Sequence, residues 1–342
     1  MNISRIIKNA IPASFKAFIR LGSSRKKYKN RIASLKTRKE PYVILIGTPV
    51  HTNLGDHLIA LAEIDWLKKT TGKDVVEIPR EVYHLYRGKL ADTDADIYIT
   101  GGGWMGDLWP NEERDIQNMV NLFQNRKVTI FPQTVYYENK NNPLIERGNN
   151  IYKNCKDLTL HVRERDSYET AKDYLSIENV ILSPDMGLLY KYKPQPIKNN
   201  SVAGVCLRDD REVSRNNDMT EKVIELIRNL GFSEKTVSTM SDHRVSEDER
   251  KEAVDAAIDV FSECGLLIVD RLHAMVFSYL AGRPCIAFDN KTGKVSGVYK
   301  QWLADCPYIL MIDENTEISE IKRFIENVKG ASFAPKTFEF RG

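Results

Sequence analysis

Apolar positions along this chain follow two alternating rhythms. From Pro41 onward, short aliphatic and β-branched runs alternate with stretches in which apolar residues recur every three or four positions. Runs of the first kind fit strands buried on both faces, and the second kind fit helices with one buried stripe. Their alternation predicts parallel α/β sheets. In the first half the predicted strands are Tyr42–Ile46, Val75–Ile78, Asp96–Thr100, Val128–Phe131, Leu158–Val162 and Val180–Leu182. A helix is predicted over Asp56–Lys69, burying Leu58, Ile59, Ala62 and Leu67 and stopping near Gly72. The stretch Lys191–Ser201, rich in Pro, Lys and Asn, interrupts the pattern and reads as a linker. Beyond it, strands are predicted at Val202–Leu207, Thr236–Ser238, Leu266–Val269, Cys285–Phe288 and Tyr308–Ile312. Helices are predicted at Thr220–Asn229, Leu272–Leu280 and near Ile318–Val328. A further one is opened by a Ser246/Glu249 capping box and buries Val254, Ala257, Ile258 and Phe261. The simplest architecture is two βα domains, residues 41–195 and 196–342, with a cleft between them.

Ahead of this pattern stands a segment of different character. Residues 1–39 hold twelve Lys or Arg and no Asp or Glu, which leaves the rest of the chain nine charges negative. Within it Ile3, Ile6, Ile7, Ala10, Ile11, Phe15, Phe18 and Ile19 recur at helical spacing, with Pro12 predicted to kink or divide the helix. A basic amphipathic helix of this kind suits an anionic membrane face, here the inner leaflet. The competing reading packs it on the protein's own body. Residues 1–40 are therefore set apart as a basic arm and linker.

Composition narrows the class. The 342 residues suffice for two domains of ordinary size. Cys155, Cys206, Cys264, Cys285 and Cys306 are odd in number and scattered, which argues against a disulfide framework or a zinc site. No apolar run is long enough to span a bilayer, and the N-terminus lacks the pattern of a secretory leader. A cytoplasmic location is expected, peripheral on the inner membrane face if the arm binds there. An acidic body without a nucleic-acid motif makes nucleic acid an unexpected partner.

Candidate chemistry sits at predicted strand ends, where open α/β sheets bind ligands. Thr48–Asp56 contains Asn53 and Gly55, suited to a tight turn, and Asp56, which can cap the following helix. Gly101, Gly102 and Gly103 follow Asp96–Thr100. With Gly106 they satisfy G-x-G-x-x-G formally, but Phe123 stands where a dinucleotide site wants an acid. Three glycines instead fit close approach of a ligand or the other domain. Arg163 and Glu164 end another strand, Asp185 follows Pro184, and Arg208 ends the first strand of the second half. Asp270-Arg271-Leu272-His273 follows a buried strand and opens a helix, whose free N–H groups favour an anion. Arg271 adds a fork for phosphate or carboxylate, and His273 a group for acid or base work. The competing reading pairs Arg271 with Asp270. Asp289–Lys294, with Asn290 and Lys294, could extend the same anion pocket.

Taken in order, T-N-L-G-D, Gly101–Gly103, V-R-E-R-D-S, Pro184-Asp185, Arg208, R-L-H and A-G-R-P-C-I-A resemble the polysaccharide pyruvyl transferase family, from about Tyr42 to Leu303. The resemblance implies a fold like the GT-B glycosyltransferases, with two Rossmann-like domains. It implies phosphoenolpyruvate as donor, a sugar or lipid-linked oligosaccharide as acceptor, and neither metal nor cofactor. Arg208, Arg271, Lys294 and Asn290 would hold the donor. His273 would manage the proton, with Asp56 or Asp185 as base. Asn53, Gly55, Gly101, Gly102, Gly103, Arg163 and Glu164 would shape the acceptor side. Two alternatives stay open: a glycosyltransferase using a nucleotide sugar, and a silent scaffold of a polysaccharide assembly complex.

Overall fold

Two wholly parallel sheets organise the computed structural model, which describes residues 12–210 and 212–342. The first contains β1 (Tyr42–Thr48), β2 (Asp74–Pro79), β3 (Ile97–Ile99), β4 (Gly102–Gly106), β5 (Lys127–Tyr136), β6 (Asp157–Val162) and β7 (Asn179–Leu182). Its order is β2–β1–β3–β5–β6–β7, with β4 beside the C-terminal half of β5. The second contains β8 (Asn199–Cys206), β9 (Ser233–Thr236), β10 (Cys264–Val269), β11 (Cys285–Ala287) and β12 (Ile309–Met311), in the order β12–β11–β10–β8–β9. These are the two Rossmann-like layers of a GT-B-like fold.

Uninterrupted apolar strands form because both faces of each sheet are covered. Ile44 and Ile46 enter one core with Val82, Ile116 and Val128, while Val43 and Leu45 enter another with Ile59, Leu67 and Phe131. In the second sheet Leu266, Ile268 and Ile286 pack with Val223 and Ile325, and Leu267, Val269 and Cys285 with Ile258 and Phe277. The covering helices of the first half are α1 (Ala13–Leu21), α2 (Arg25–Leu35), α3 (Leu54–Thr71), α4 (Arg80–Leu90), α5 (Pro110–Leu122), α6 (Pro143–Tyr152) and α7 (Arg165–Tyr174). Those of the second are α8 (Asn217–Asn229), α9 (Arg250–Ser262), α10 (Leu272–Leu280), α11 (Lys294–Val298) and α12 (Ile318–Val328).

Three elements differ from expectation. The strand expected at Thr236–Ser238 lies at Ser233–Thr236, an edge strand whose residues are all exposed, so no apolar pattern marks it. Glu249 does accept the Ser246 N–H, at 3.0 Å, but α9 starts only at Arg250, so the pair closes the turn before the helix. After β3, where no further strand is predicted before Val128, Gly102 already begins β4. In the arm, α1 buries Ala17 and Leu21 and packs on α4, while Tyr28, Ile32 and Leu35 of α2 join the first core. The expected apolar positions from Ile3 to Ile11 lie outside the described residues.

The two sheets are joined by polar contacts along one seam. Leu54 N–H donates to Thr239 O at 2.8 Å, Ser241 N–H to Thr52 O at 2.8 Å, and Val245 N–H to His51 O at 3.2 Å. Arg250 of α9, fully buried, donates to both Glu77 oxygens at 2.7 and 2.9 Å, to Pro49 O at 3.0 Å and to His57 Nδ1 at 3.1 Å. Burial, aided by the Arg250 charge, pushes His57 down to about 4. It is neutral, accepting at Nδ1 and donating from Nε2 to His51 O at 2.9 Å. The last residues cross back: Phe333 stacks on Tyr308 of the second half, and Phe340 packs on Trp66 and Phe131 of the first.

Candidate active site

Strand β10 delivers Asp270 to its end in a committed state. Asp270 is buried, accepts the Arg208 N–H at 2.7 Å, and accepts Arg215 Nη1 at 2.7 Å. It ties the ends of β8 and β10 together, so Arg271 is not its partner. Arg271 instead stands at the N-cap position of α10 and turns its side chain to the cleft, 3.8 Å from Asp210.

His273, in the first turn of α10, stands between the two halves of the chain. A Cβ at Gly55 would lie 2.2 Å from its Nδ1, so no side chain at position 55 is compatible with this imidazole. Gly55 itself opens α3, where Asn53 caps the helix by accepting the Gly55 N–H at 3.1 Å. On the other side His273 Nε2 faces Asp185 Oδ2 at 3.7 Å. Asp185 is fully buried, accepts the Gly187 N–H at 2.8 Å, and receives Arg163 Nη1 at 2.6 Å. Burial would raise its carboxyl, but the Arg163 charge and His273 outweigh that and hold it well below the usual range. Asp185 is thus a fixed anion behind His273. It does not line the cleft.

Arg163 is equally buried, with Nε on Thr134 Oγ1 at 2.9 Å. Glu164 points away from the cleft, bonded to Ser167 and packed against Gly297 of α11. Burial, against the pull of Arg163, pushes its carboxyl up to about 7.

The cations expected to hold an anionic donor do converge, and they already hold carboxylates. Glu212 Oε2 lies 2.7 Å from Lys294 Nζ, 2.8 Å from Arg208 Nη1 and 3.1 Å from Asn290 Nδ2, and Oε1 accepts Trp109 Nε1 at 3.3 Å. Asp210 takes the other edge of Arg208 at 2.8 and 2.9 Å. Burial lowers Lys294, with Glu212 opposing and Arg163 and Arg208 adding to the effect. The Lys294 and Arg208 charges, working against burial, hold Glu212 below its usual range.

Strand β4 forms the floor beside this cluster. A Cβ at Gly103 would come 3.2 Å from Arg163 Nη2 and 3.4 Å from Lys294 Nζ, so the glycine leaves the cations room. Two buried glutamates clamp the strand. Glu63 accepts the Gly101 N–H at 2.7 Å and bonds Thr100 Oγ1 at 2.6 Å, while Glu113 accepts the Gly106 N–H at 3.1 Å. Burial pushes Glu63 up to about 8, and burial raises Glu113 against the hydrogen bonds it accepts. Gly106 holds φ +133°, and a Cβ there would strike Tyr136 O at 1.7 Å.

One cleft of 1080 Å³ unites Asn53, Asp56, Gly103, Arg163, Arg208, Arg271, His273 and Lys294. Gly55, Gly101, Gly102, Glu164, Asp185 and Asn290 stand behind its wall and shape it. Asp56 reaches it with Oδ2 bonded by Asn53 Nδ2 at 2.9 Å and 3.4 Å from His51 Nε2. The same cleft is also lined by Trp104, Trp109, Arg80, Arg114 and Arg244, and by Lys16 and Arg20 of α1. Glu212, Asp210 and Trp109 are contributors that sequence reasoning missed. The signal for the first two was their spacing, two and four residues beyond Arg208.

Residues 53–292 match the polysaccharide pyruvyl transferase family. The chain belongs to that family. It is 28% identical over 294 residues to general stress protein 30 of Bacillus subtilis, covering 84% of each chain. It is 28% identical over 303 residues to pyruvyl transferase 1 of Schizosaccharomyces pombe, covering 82% of this chain and 73% of that one. An uncharacterized Klebsiella pneumoniae protein of known structure superposes with a TM-score of 0.52 at 18% identity, over 84% of this chain and 98% of that one. That last likeness bears on the fold alone. Membership supports pyruvyl transfer in polysaccharide biosynthesis.

Proposed function

We propose that this family member moves the enolpyruvyl unit of phosphoenolpyruvate onto two hydroxyls of a sugar or lipid-linked oligosaccharide, forming a ketal and releasing phosphate. The observation that carries this reading is the placement of His273. It is braced by Gly55 and Asp185 and opens into a cleft that also holds Arg208, Arg271 and Lys294.

The chemistry asks for an acid at the methylene carbon, cations for the phosphate and carboxylate, and a base for the hydroxyls. His273 delivers a proton to the methylene carbon, and positive charge develops at the neighbouring carbon. One acceptor oxygen bonds there, the C–O bond to phosphate breaks, and the second oxygen closes the ketal. Of the two hydroxyl protons, one restores the acid and the other leaves with phosphate. Arg208, Arg271 and Lys294, with Asn290, receive the departing phosphate and hold the carboxylate. Asp56 serves as base because it faces the cleft, whereas Asp185 is buried and positions His273. Asn53 and the Gly101–Gly103 floor bound the acceptor. The reaction as written takes place in the cytoplasm and calls for no metal or cofactor.

The test is phosphate release together with a pyruvate-sized mass gain on a panel of nitrophenyl and lipid-linked sugars. Arg271→Ala and His273→Ala should each abolish it. Phosphate-free transfer from a nucleotide sugar by the same preparation would sink the reading.

A further inference from the structure

Three large apolar side chains stand out of the body on α1: Phe15 is 53% exposed, Phe18 49% and Ile19 63%. The helix displaying them is docked, since Ala17 and Leu21 are buried and α1 packs on α4. Cations neighbour the patch in space or in sequence. The Arg25 guanidinium lies 3.6 Å over the Phe18 ring, and Lys16, Lys26 and Lys29 are close in sequence. Among the described residues, no carboxylate lies within ion-pairing range of Lys16, Arg25, Lys26 or Lys29. No acidic residue occurs anywhere in positions 1–39.

We propose that α1 seats the protein on an anionic lipid bilayer, with Phe15, Phe18 and Ile19 entering the interface and the surrounding cations meeting the headgroups. Three side chains make too small a patch for a stable protein interface, which needs roughly 800 Å² per partner. They suit a bilayer, where apolar area and attraction to anionic lipid add together. The same helix also contributes Lys16 and Arg20 to the lining of the cleft. Docking by α1 therefore brings that wall of the cleft close to the headgroups, where a lipid-linked sugar would enter. Only this last consequence rests on the proposed function; the contact itself does not.

The full chain is floated with vesicles of phosphatidylcholine alone, or of phosphatidylcholine and phosphatidylglycerol in equal parts. Binding is expected to the mixed vesicles, weakening sharply as salt is raised. The triple variant Phe15→Ser, Phe18→Ser, Ile19→Ser should keep its melting temperature, since it changes exposed positions, and bind at least about tenfold more weakly. Arg25→Gln, Lys26→Gln, Lys29→Gln together should weaken binding to the mixed vesicles by about tenfold or more. Absence of wild-type binding to either vesicle would overturn the proposal, as would binding that neither variant weakens. A wild-type dimer in light scattering that the triple serine variant splits would assign the patch to a second copy and also overturn it. Flotation is read without turnover, so failure to transfer pyruvate leaves the docking result standing.

Discussion

At the scale of single residues, the site rests on His273 meeting Gly55 where a Cβ would lie 2.2 Å from the ring. Gly55→Ala must push the imidazole off Asp185, and a shift approaching 1 Å in a reacting group costs about a hundredfold in rate. We expect kcat to fall by about that factor. Overpacking should also destabilise the fold by about 1–3 kcal/mol. The stability loss supplies the sharper check. In a His273→Gly background both the ring and the Cβ that crowd position 55 are gone, so Gly55→Ala should cost far less in denaturant unfolding. Equal costs in both backgrounds would mean that the two residues do not press on each other. His273 and Arg271 were legible in the sequence because they follow a buried strand and open a helix. The reason for Gly55 was not, since its partner lies more than two hundred residues away and only the fold brings them together.

Among the elements, the buried strands were legible and the glycine strand was not. Strand β4 has no apolar run, and it holds its place through Glu63 and Glu113, two acids inside a helix pattern that gives no hint of burial. Glu63 carries a testable consequence. Burial lifts its carboxyl to about 8 in the folded state, against 4.5 as its ordinary value. The folded protein therefore holds a proton that the unfolded chain has lost between those values, and stability falls as pH rises through that window. Below the lower value both states are protonated and the group contributes no slope. Glu63→Gln can still accept the Gly101 N–H and reach Thr100, yet it cannot ionise. Melts from pH 5 to pH 9 should thus show a shallower decline in the variant, with wild type losing a few kcal/mol at most from this group. A wild-type melting temperature that rises across the window in step with the variant would rule out the buried neutral acid. Helix α7 was unlabelled for a related reason, since it buries only Ser167 and Ala171 and leaves little apolar periodicity.

Across the whole molecule, two charge arrangements bring together residues far apart in the sequence, and neither can be read from local pattern. The first is structural: Arg250 crosses the seam to Glu77, and Arg250→Ala would leave that carboxylate buried without its cation. A loss of about 3–5 kcal/mol is expected in denaturant unfolding, because breaking one side of a buried pair strands the other. The second is the cleft itself, where Arg208 and Lys294 arrive from two elements and find Glu212 and Asp210 already between them. On the proposed function, a donor bearing both phosphate and carboxylate would enter a cluster whose cations already hold carboxylates, and Glu212 would compete with it for Lys294 and Arg208. Glu212→Gln keeps the shape while removing one negative charge, its single carbonyl oxygen accepting either from Trp109 or from the cations. Phosphoenolpyruvate should then bind about tenfold more tightly in calorimetric titration, a modest share of the roughly 4 kcal/mol that two charges 4 Å apart exchange at a partly solvated site. The gain should shrink with added salt only weakly, because Glu212 is buried. Weaker binding with an unchanged melting temperature would show the opposite role: Glu212 would be holding Arg208 and Lys294 in the pose that the donor requires.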